Sequence, residues 1–174
     1  TPLQKRIKRH VIGRTHSFFV ATPPGLEGLC LEELKALGLS APDFSTVKGG
    51  IEFEGRLQDC YLANLHLRIA NRVLMRIAGF KASGFSRLEN KLGSIPWELY
   101  ISQGVMPEIN TSAKHSRIYH KDAIEERIRA AIAERWGVSK FRKPEGPRTK
   151  FPQQVFVRAV DNRFTVSLDS SGDL

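Results

Sequence analysis

Residues 107–136, PEINTSAKHSRIYHKDAIEERIRAAIAERW, leave the chain few ways to fold. Residues 108–113 read as a short extended run. Ile124, Ile128, Ala131, Ile132 and Trp136 then recur at helical spacing and form one apolar stripe. Asp122, with Glu125 three residues on, has the form of an N-cap and capping box, and Gly137 that of a helix stop. A strand, a polar loop and a helix N-terminus are therefore expected to meet around residues 114–121.

That loop carries Lys114, His115, Ser116, Arg117, Tyr119, His120 and Lys121. Cationic and hydrogen-bonding side chains thus gather where free amide N–H groups and the positive end of a helix dipole point. Such a combination suits a phosphate.

The charge balance supports a polyanionic partner. Lys and Arg exceed Asp and Glu by 27 to 18, a formal net charge of +9. Residues 1–17 contribute five cations and no acid, 110–121 three and no acid, and 140–151 five against Glu145 alone. The rest of the chain is net acidic, so the excess is clustered as an electrostatic footprint should be. Anionic membrane is the other candidate surface, but no helix pattern pairs a basic face with bulky apolar side chains. No apolar stretch approaches the roughly 20 residues of a membrane span, and the apolar run at 18–21 is cut short by Pro23 and Pro24 instead of forming a secretory signal. These features predict a cytoplasmic, non-membrane protein. Cys30 and Cys60 lie among apolar residues and read as buried free thiols.

Taken in order, residues 1–16 read as a basic, flexible arm. A strand at 17–22 leads through Pro23-Pro24-Gly25 into a helix whose stripe is Leu26, Leu29, Cys30, Leu34 and Leu37. Two short strands at 44–47 and 51–54 flank the hairpin signal Lys48-Gly49-Gly50. A helix over 57–72, with Leu57, Tyr61, Leu62, Leu65 and Ile69 inward, precedes a strand at 73–80. The order β-α-β-β-α-β is the split-βαβ pattern of a ferredoxin-like unit. Beyond it, Ser86 to Glu89 has capping-box form, and a second short helical piece lies near 96–101. With the strand and helix already described and alternating strands at 155–159 and 164–168 joined by Asp161-Asn162, the second half reads α-α-β-α-β-β. The fold class is α/β (α+β), with a ferredoxin-like domain at 17–82 and a second domain at 83–174.

No catalytic constellation is visible. The chain has no Gly-x-Gly-x-x-Gly, P-loop or Gly-x-Ser-x-Gly. Its five histidines and two cysteines make no metal-ligand spacing. The pattern favours a binding module. The segment 140–151, KFRKPEGPRTKF, adds Arg142, Lys143, Arg148 and Lys150 as phosphate-binding candidates and Phe141 as a stacking one. It leads into the strand expected beside 108–113, so both basic segments are expected to open on the same edge of the domain.

Four stretches, FFVATPPGLEGLCLEELKALG (18–38), VKGGIEFEG (47–55), HSRIYHKDAIEERI (115–128) and FTVSLDSSGDL (164–174), carry a family resemblance over nearly the whole chain. The chain resembles the N-terminal part of bacterial large-subunit ribosomal RNA guanine-N2 methyltransferases, in which a ferredoxin-like domain is joined to a THUMP domain. The resemblance implies that 83–174 is a THUMP RNA-binding module and that structured RNA, ribosomal RNA first and tRNA second, is the partner. It implies that an S-adenosylmethionine-binding methyltransferase domain follows residue 174 in a parent enzyme, so that no catalytic or cofactor residue carries over onto this chain. The alternatives are the same module in a tRNA-methylating or tRNA-thiolating enzyme, a free-standing tRNA adaptor, and an interaction domain whose basic face docks an acidic protein.

Overall fold

The alternating run HSFFVA forms β1 (His16–Ala21) of a computed structural model that describes residues 1–40, 43–138 and 152–172. The chain divides into two compact units, Thr1–Arg76 together with the segment from Asp169 onward, and Ile77–Leu168.

In the first unit β1 is followed by α2 (Glu27–Ala36), β2 (Phe44–Val47), β3 (Gly50–Gly55), α3 (Leu57–His66) and β4 (Arg72–Lys81). The strand order is β2-β3-β1-β4, every neighbour antiparallel, with Phe18 between Phe53 and Met75. This is the ferredoxin-like arrangement that the element order predicts. Phe18, Val20, Ile51, Phe53, Val73 and Met75 supply the strand side of the core, and Cys30, Leu34, Cys60 and Ala63 the helix side.

The β2–β3 turn separates two roles for its glycines. Gly49 has φ +86°, which only glycine adopts without strain. Gly50 is needed for closeness: a Cβ there would fall 2.7 Å from the Phe19 ring and overlap the Val20 carbonyl.

Three local expectations are revised in this unit. Residues 1–16, read as a basic, flexible arm, carry local helical structure: Pro2–Ile7 form α1, with Thr1 and Gln4 capping its start, and Lys8–Ile12 continue as a π-helical turn. Val11 is buried, and its carbonyl lies 2.6 Å from His16 Nε2. On α2, Leu29 is 59% exposed, so the inward stripe narrows to Cys30 and Leu34. On α3, Tyr61 and Leu65 face solvent at 60% and 77% exposure, while Asp59, Cys60 and Ala63 face the sheet. The helix ends at His66, six residues earlier than its periodicity suggests. Small side chains let it lie close to the sheet, where Leu and Tyr at the same positions would overpack.

The buried Asp59 carboxylate organises the start of α3. It accepts the Arg56 and Ser40 amide protons at 2.7 and 3.0 Å and the Ser40 hydroxyl proton at 2.6 Å. Burial alone pushes its pKa up, but the Ser40 hydroxyl and the two amides outweigh that and hold it below the usual carboxylate value.

The second unit begins with the end of β4. It continues through α4 (Phe85–Gly93), a 3₁₀ turn at Trp97–Leu99, β5 (Glu108–Lys114), α5 (Lys121–Trp136), β6 (Gln154–Val160) and β7 (Arg163–Asp169). The strands lie in the order β4-β7-β6-β5. β5 and β6 are parallel, joined by the α5 crossover, and β6 and β7 form an antiparallel hairpin. Ile124, Ile128, Ala131 and Ile132 are buried, as their spacing predicts. They pack with Leu88, Leu92, Trp97 and the inward residues of β5, β6 and β7 in one core. Trp97 is fully buried, and its indole N–H donates to the Leu92 carbonyl at 2.9 Å. Ser86 and Glu89 do not cap α4. The helix starts two residues earlier, at Phe85 behind Gly84, and Glu89 instead accepts from Arg127 of α5 at 2.9 Å.

Candidate functional site

β5 delivers the chain to the candidate loop in register with β6, Lys114 opposite Val160. His115 then turns the chain with φ +49°. The β6–β7 turn is the two-residue Asp161-Asn162 connection, both residues left-handed at φ 50° and 61°, as a tight hairpin requires. These two turns are tied together. The Asp161 amide donates to the Lys114 carbonyl at 3.3 Å. The Asn162 amide donates to Ser116 Oγ at 3.0 Å, and Asn162 Oδ1 accepts the Arg117 amide proton at 2.8 Å. Ser116 Oγ in turn donates to the Lys114 carbonyl at 3.1 Å.

Ser116 therefore holds the loop in shape; its hydroxyl is engaged within the protein and is not a free donor for an anion. Ile118 is the second anchor, 3% exposed in the core. With Ile118 pinned inward, Lys114, His115, Arg117, Tyr119, His120 and Lys121 are left exposed around it. The Tyr119 and His120 rings lie against each other, centroids 4.2 Å apart and planes tilted by 33°.

Helix α5 starts earlier than its capping pattern suggests. His120 is the N-cap, with extended backbone and no side-chain cap hydrogen bond, and the Ile124 amide donates to the His120 carbonyl at 3.2 Å. Asp122 lies inside the first turn, where its charge favours the helix dipole without capping an amide. The core fixes this start: Ile118 and Ile124 are both buried, and the six-residue interval is spanned by an extended piece and one helical turn. The first-turn amides are left without a side-chain cap beside three cations.

Among the described residues, Lys114, Arg117 and Lys121 form no ion pair, and neither does Arg163 at the start of β7. Asp122 and Asp161 are the acids of this region, so it keeps a positive excess.

The residues Phe141, Arg142, Lys143, Arg148 and Lys150 lie outside the described residues. Their described flanks are Val138, just past the left-handed Gly137 that ends α5, and Pro152, just before β6. β5 and β6 are neighbours, as expected. Because they are parallel, however, the start of β6 lies opposite Glu108, at the far end of β5 from Lys114. Both flanks are thus set apart from the 114–121 loop by the length of α5, roughly 24 Å for a helix of this size. The anchors of the second basic segment thus lie at the opposite end of β5 from the 114–121 loop; where that segment itself opens falls outside the described residues. A parallel β-α-β crossover sends successive connections to alternate ends of the sheet.

The register adds residues that sequence reasoning passed over. Asn162 acts through its side chain as well as its turn conformation. Arg158 and Arg163 are exposed outward positions of β6 and β7. The alternation in QVFVRAV was the available signal, since it places Arg158 opposite in phase to Val155, Val157 and Ala159.

Among the described residues no group of three or more His, Cys, Asp or Glu side chains could hold a metal ion. Both thiols are free and buried. Desolvation pushes the Cys30 pKa up to about 11 and raises that of Cys60, so neither is a ready thiolate nucleophile. Among the same residues, no helix is long and apolar enough to cross a membrane.

Residues 17–74 match the family model described as the RlmL ferredoxin-like domain. The chain is 31% identical over 156 residues to the "Ribosomal RNA large subunit methyltransferase K/L" of Syntrophotalea carbinolica, covering 90% of this chain and 22% of that protein. It is 29% identical over 159 residues to the protein of the same name from Methylococcus capsulatus, covering 91% and 21%. The chain therefore spans about a fifth of the length of these relatives. Its fold matches a crystal structure from Listeria monocytogenes described as a predicted N6-adenine-specific DNA methylase, with TM-score 0.78, 23% identity, and coverage of 92% of this chain and 42% of the other. It also matches a candidate methyltransferase complexed with SAH, with TM-score 0.73, 22% identity, and coverage of 90% and 41%. At these identities the structural matches speak to the fold.

Proposed function

We infer that this chain, an RlmL-like N-terminal region, binds structured RNA and holds it for methylation elsewhere in a longer polypeptide. In this reading residues 83–174 are a THUMP module, residues 17–82 its ferredoxin-like companion, and the reaction is S-adenosylmethionine-dependent methylation of a guanine N2 in large-subunit ribosomal RNA. The observation that carries it is the exposed loop of Lys114, Arg117 and Lys121. The loop is pinned by Ser116 and Asn162 and set beside the uncapped start of α5. Cations carried on a held backbone, beside open amides at one strand end, stabilise phosphates at reduced ordering cost. The names of the curated relatives supply the class of RNA.

At the β1–α2 turn the Glu27 carboxylate accepts the Gly25 amide proton at 2.8 Å and, from the β2–β3 turn, that of Gly49 at 3.1 Å, so this strand-to-helix junction already holds an acid where an anionic ligand would sit. In this reading the cofactor belongs to another part of the polypeptide, and this chain contributes binding and orientation alone.

The test is a salt titration of binding to ribosomal RNA stem-loops and to tRNA by fluorescence anisotropy, with wild type and a Lys114→Ala/Arg117→Ala/Lys121→Ala variant. Each phosphate contact contributes roughly 0.7–0.9 to the log–log salt slope. Loss of three contacts should flatten the slope by about 2–3 and weaken binding at low salt by about tenfold or more. An unchanged slope sinks the reading. Tighter binding to tRNA would move it to a tRNA-modifying enzyme, and equal competition by polyglutamate would move it to an acidic protein partner.

A further inference from the structure

At the strand ends nearest the loop, the sheet face away from α4 and α5 is exposed and carries cations that the loop does not account for. Helices α4 and α5 pack on one face only, against Ile109, Val155, Val157, Ala159, Phe164 and Val166. Alternation sends the intervening side chains to the other face. The register there sets two rows at the strand ends nearest the loop. One is Lys114–Val160–Arg163 and the next is Ser112–Arg158–Thr165. Lys114, Arg158, Arg163 and Ser112 are exposed. The two rows hold no carboxylate, and among the described residues none of the three cations forms an ion pair. Strand spacing and rise put their backbones roughly 8–10 Å from one another.

Like charges on adjacent strands repel and weaken a sheet. A single arginine at an exposed strand position is an ordinary surface residue. Three cations on two successive rows, with hydroxyls of Ser112 and Thr165 on either side of Arg158 and no acid opposite, form a surface complementary to a chain of phosphates.

We propose that RNA engaged at the 114–121 loop continues across this open face. Lys114 is shared between the two, Arg163 and Arg158 neutralise the following phosphates, and the Ser112 and Thr165 hydroxyls donate to phosphate or ribose oxygens. The proposal rests on the RNA-binding reading and adds a path and two arginines to it.

The experiment uses the 174-residue chain and fluorescein-labelled stem-loop RNAs with single-stranded overhangs of about four or about twelve nucleotides, the range of common single-strand site sizes. An Arg158→Gln/Arg163→Gln variant is compared with wild type and with the Lys114→Ala/Arg117→Ala/Lys121→Ala variant. The expected result is that the arginine variant binds the long-overhang RNA about tenfold more weakly, with a salt slope shallower by about 1.4, two phosphates' worth. It should bind the short-overhang RNA within about twofold of wild type, because that overhang is used up at the loop. Arg158→Lys/Arg163→Lys should restore most of the affinity, which excludes a folding defect. Wild-type affinity and slope for the long overhang in the glutamine variant overturn the path, as does equal loss for both RNAs without rescue by lysine. In either case an effect of the loop variant leaves the RNA-binding reading standing. An ineffective loop variant, or a wild-type chain that binds neither RNA, removes that reading and the path with it.

Discussion

Asn162 Oδ1 accepts the amide proton of Arg117 at 2.8 Å, so the β6–β7 turn fixes the backbone of the cationic loop across a sequence gap of 45 residues. Arg117 is exposed, and its guanidinium is free to meet a ligand because its backbone is held from behind. The turn and the loop thus act as one preorganised piece. Substitutions at Asn162 should reach RNA binding without removing any charge.

Asn162→Gly is the discriminating change. Glycine accepts the left-handed φ of 61°, so the hairpin keeps its turn, but the side-chain acceptor is lost. Stability should fall by about 1 kcal/mol, one hydrogen bond's worth. The Arg117 amide should exchange with deuterium faster than in wild type. RNA affinity should drop several-fold with an unchanged salt slope, because the number of cations is the same. An unchanged exchange rate at Arg117 would show that the loop is held by other means.

Asp59 gives the first unit an acid sensitivity. Burial raises its pKa, but the Ser40 hydroxyl and the Arg56 and Ser40 amides outweigh it and hold the folded-state value below that of an ordinary aspartate. Because the folded pKa is depressed, the stabilisation is fully present above pH ~4 and is lost as pH falls through the folded pKa. Asp59→Ala removes three acceptor interactions and should cost about 2–3 kcal/mol at neutral pH. It should also flatten the stability–pH curve below pH ~4 relative to wild type. Urea titrations at pH 7 and pH 3 read both effects, and parallel curves for the two proteins would exclude Asp59 as the source.

Gly50 separates steric from conformational need. Its Cβ would meet the Phe19 ring at 2.7 Å and the Val20 carbonyl on the neighbouring strand, and register with Ala21 leaves the backbone no room to retreat. Gly50→Ala should destabilise the chain by about 1–3 kcal/mol through overpacking. Gly49→Ala meets nothing within 4 Å and should cost about 1 kcal/mol through its φ alone. Equal costs for the two in thermal unfolding would contradict this division.

Large branched side chains made parts of the fold legible. The isoleucines of α5 and Val155 and Val157 of β6 repeat with clear periods and are buried where those periods put them. Legibility failed on α3, where Tyr61 and Leu65 repeat at helical spacing yet the core is lined by Cys60 and Ala63. Small residues carry little hydrophobic signal but allow the closest packing, so periodicity chose the wrong face. The start of α5 was misread for a different reason. Asp122 and Glu125 match a capping box, but the burial of Ile118 fixes where the helix begins. At the candidate site, the cations of 114–121 stand together in sequence and are visible there. Arg158 and Arg163 become part of a site only when register brings three strands side by side, and no local pattern encodes that.

Tyr119 is the residue at which base recognition can be told apart from charge. It is 61% exposed, so its ring contributes little to the core, and it lies against His120 at the very start of α5. An aromatic face held beside phosphate-binding cations is a platform for an unpaired base, and such stacking contributes about 1–3 kcal/mol per base. Tyr119→Ala should therefore weaken binding of an RNA with a single-stranded end by about tenfold, while a fully paired blunt duplex is bound as before. Tyr119→Phe keeps the ring and should retain near wild-type affinity, and both variants should melt within a degree or two of wild type, as surface substitutions generally do. The salt slope should stay constant across the three proteins, because no phosphate contact has been removed. A loss of affinity shared by the paired and unpaired RNAs, or a slope that changes with the ring, would mean that Tyr119 shapes the loop instead of touching a base.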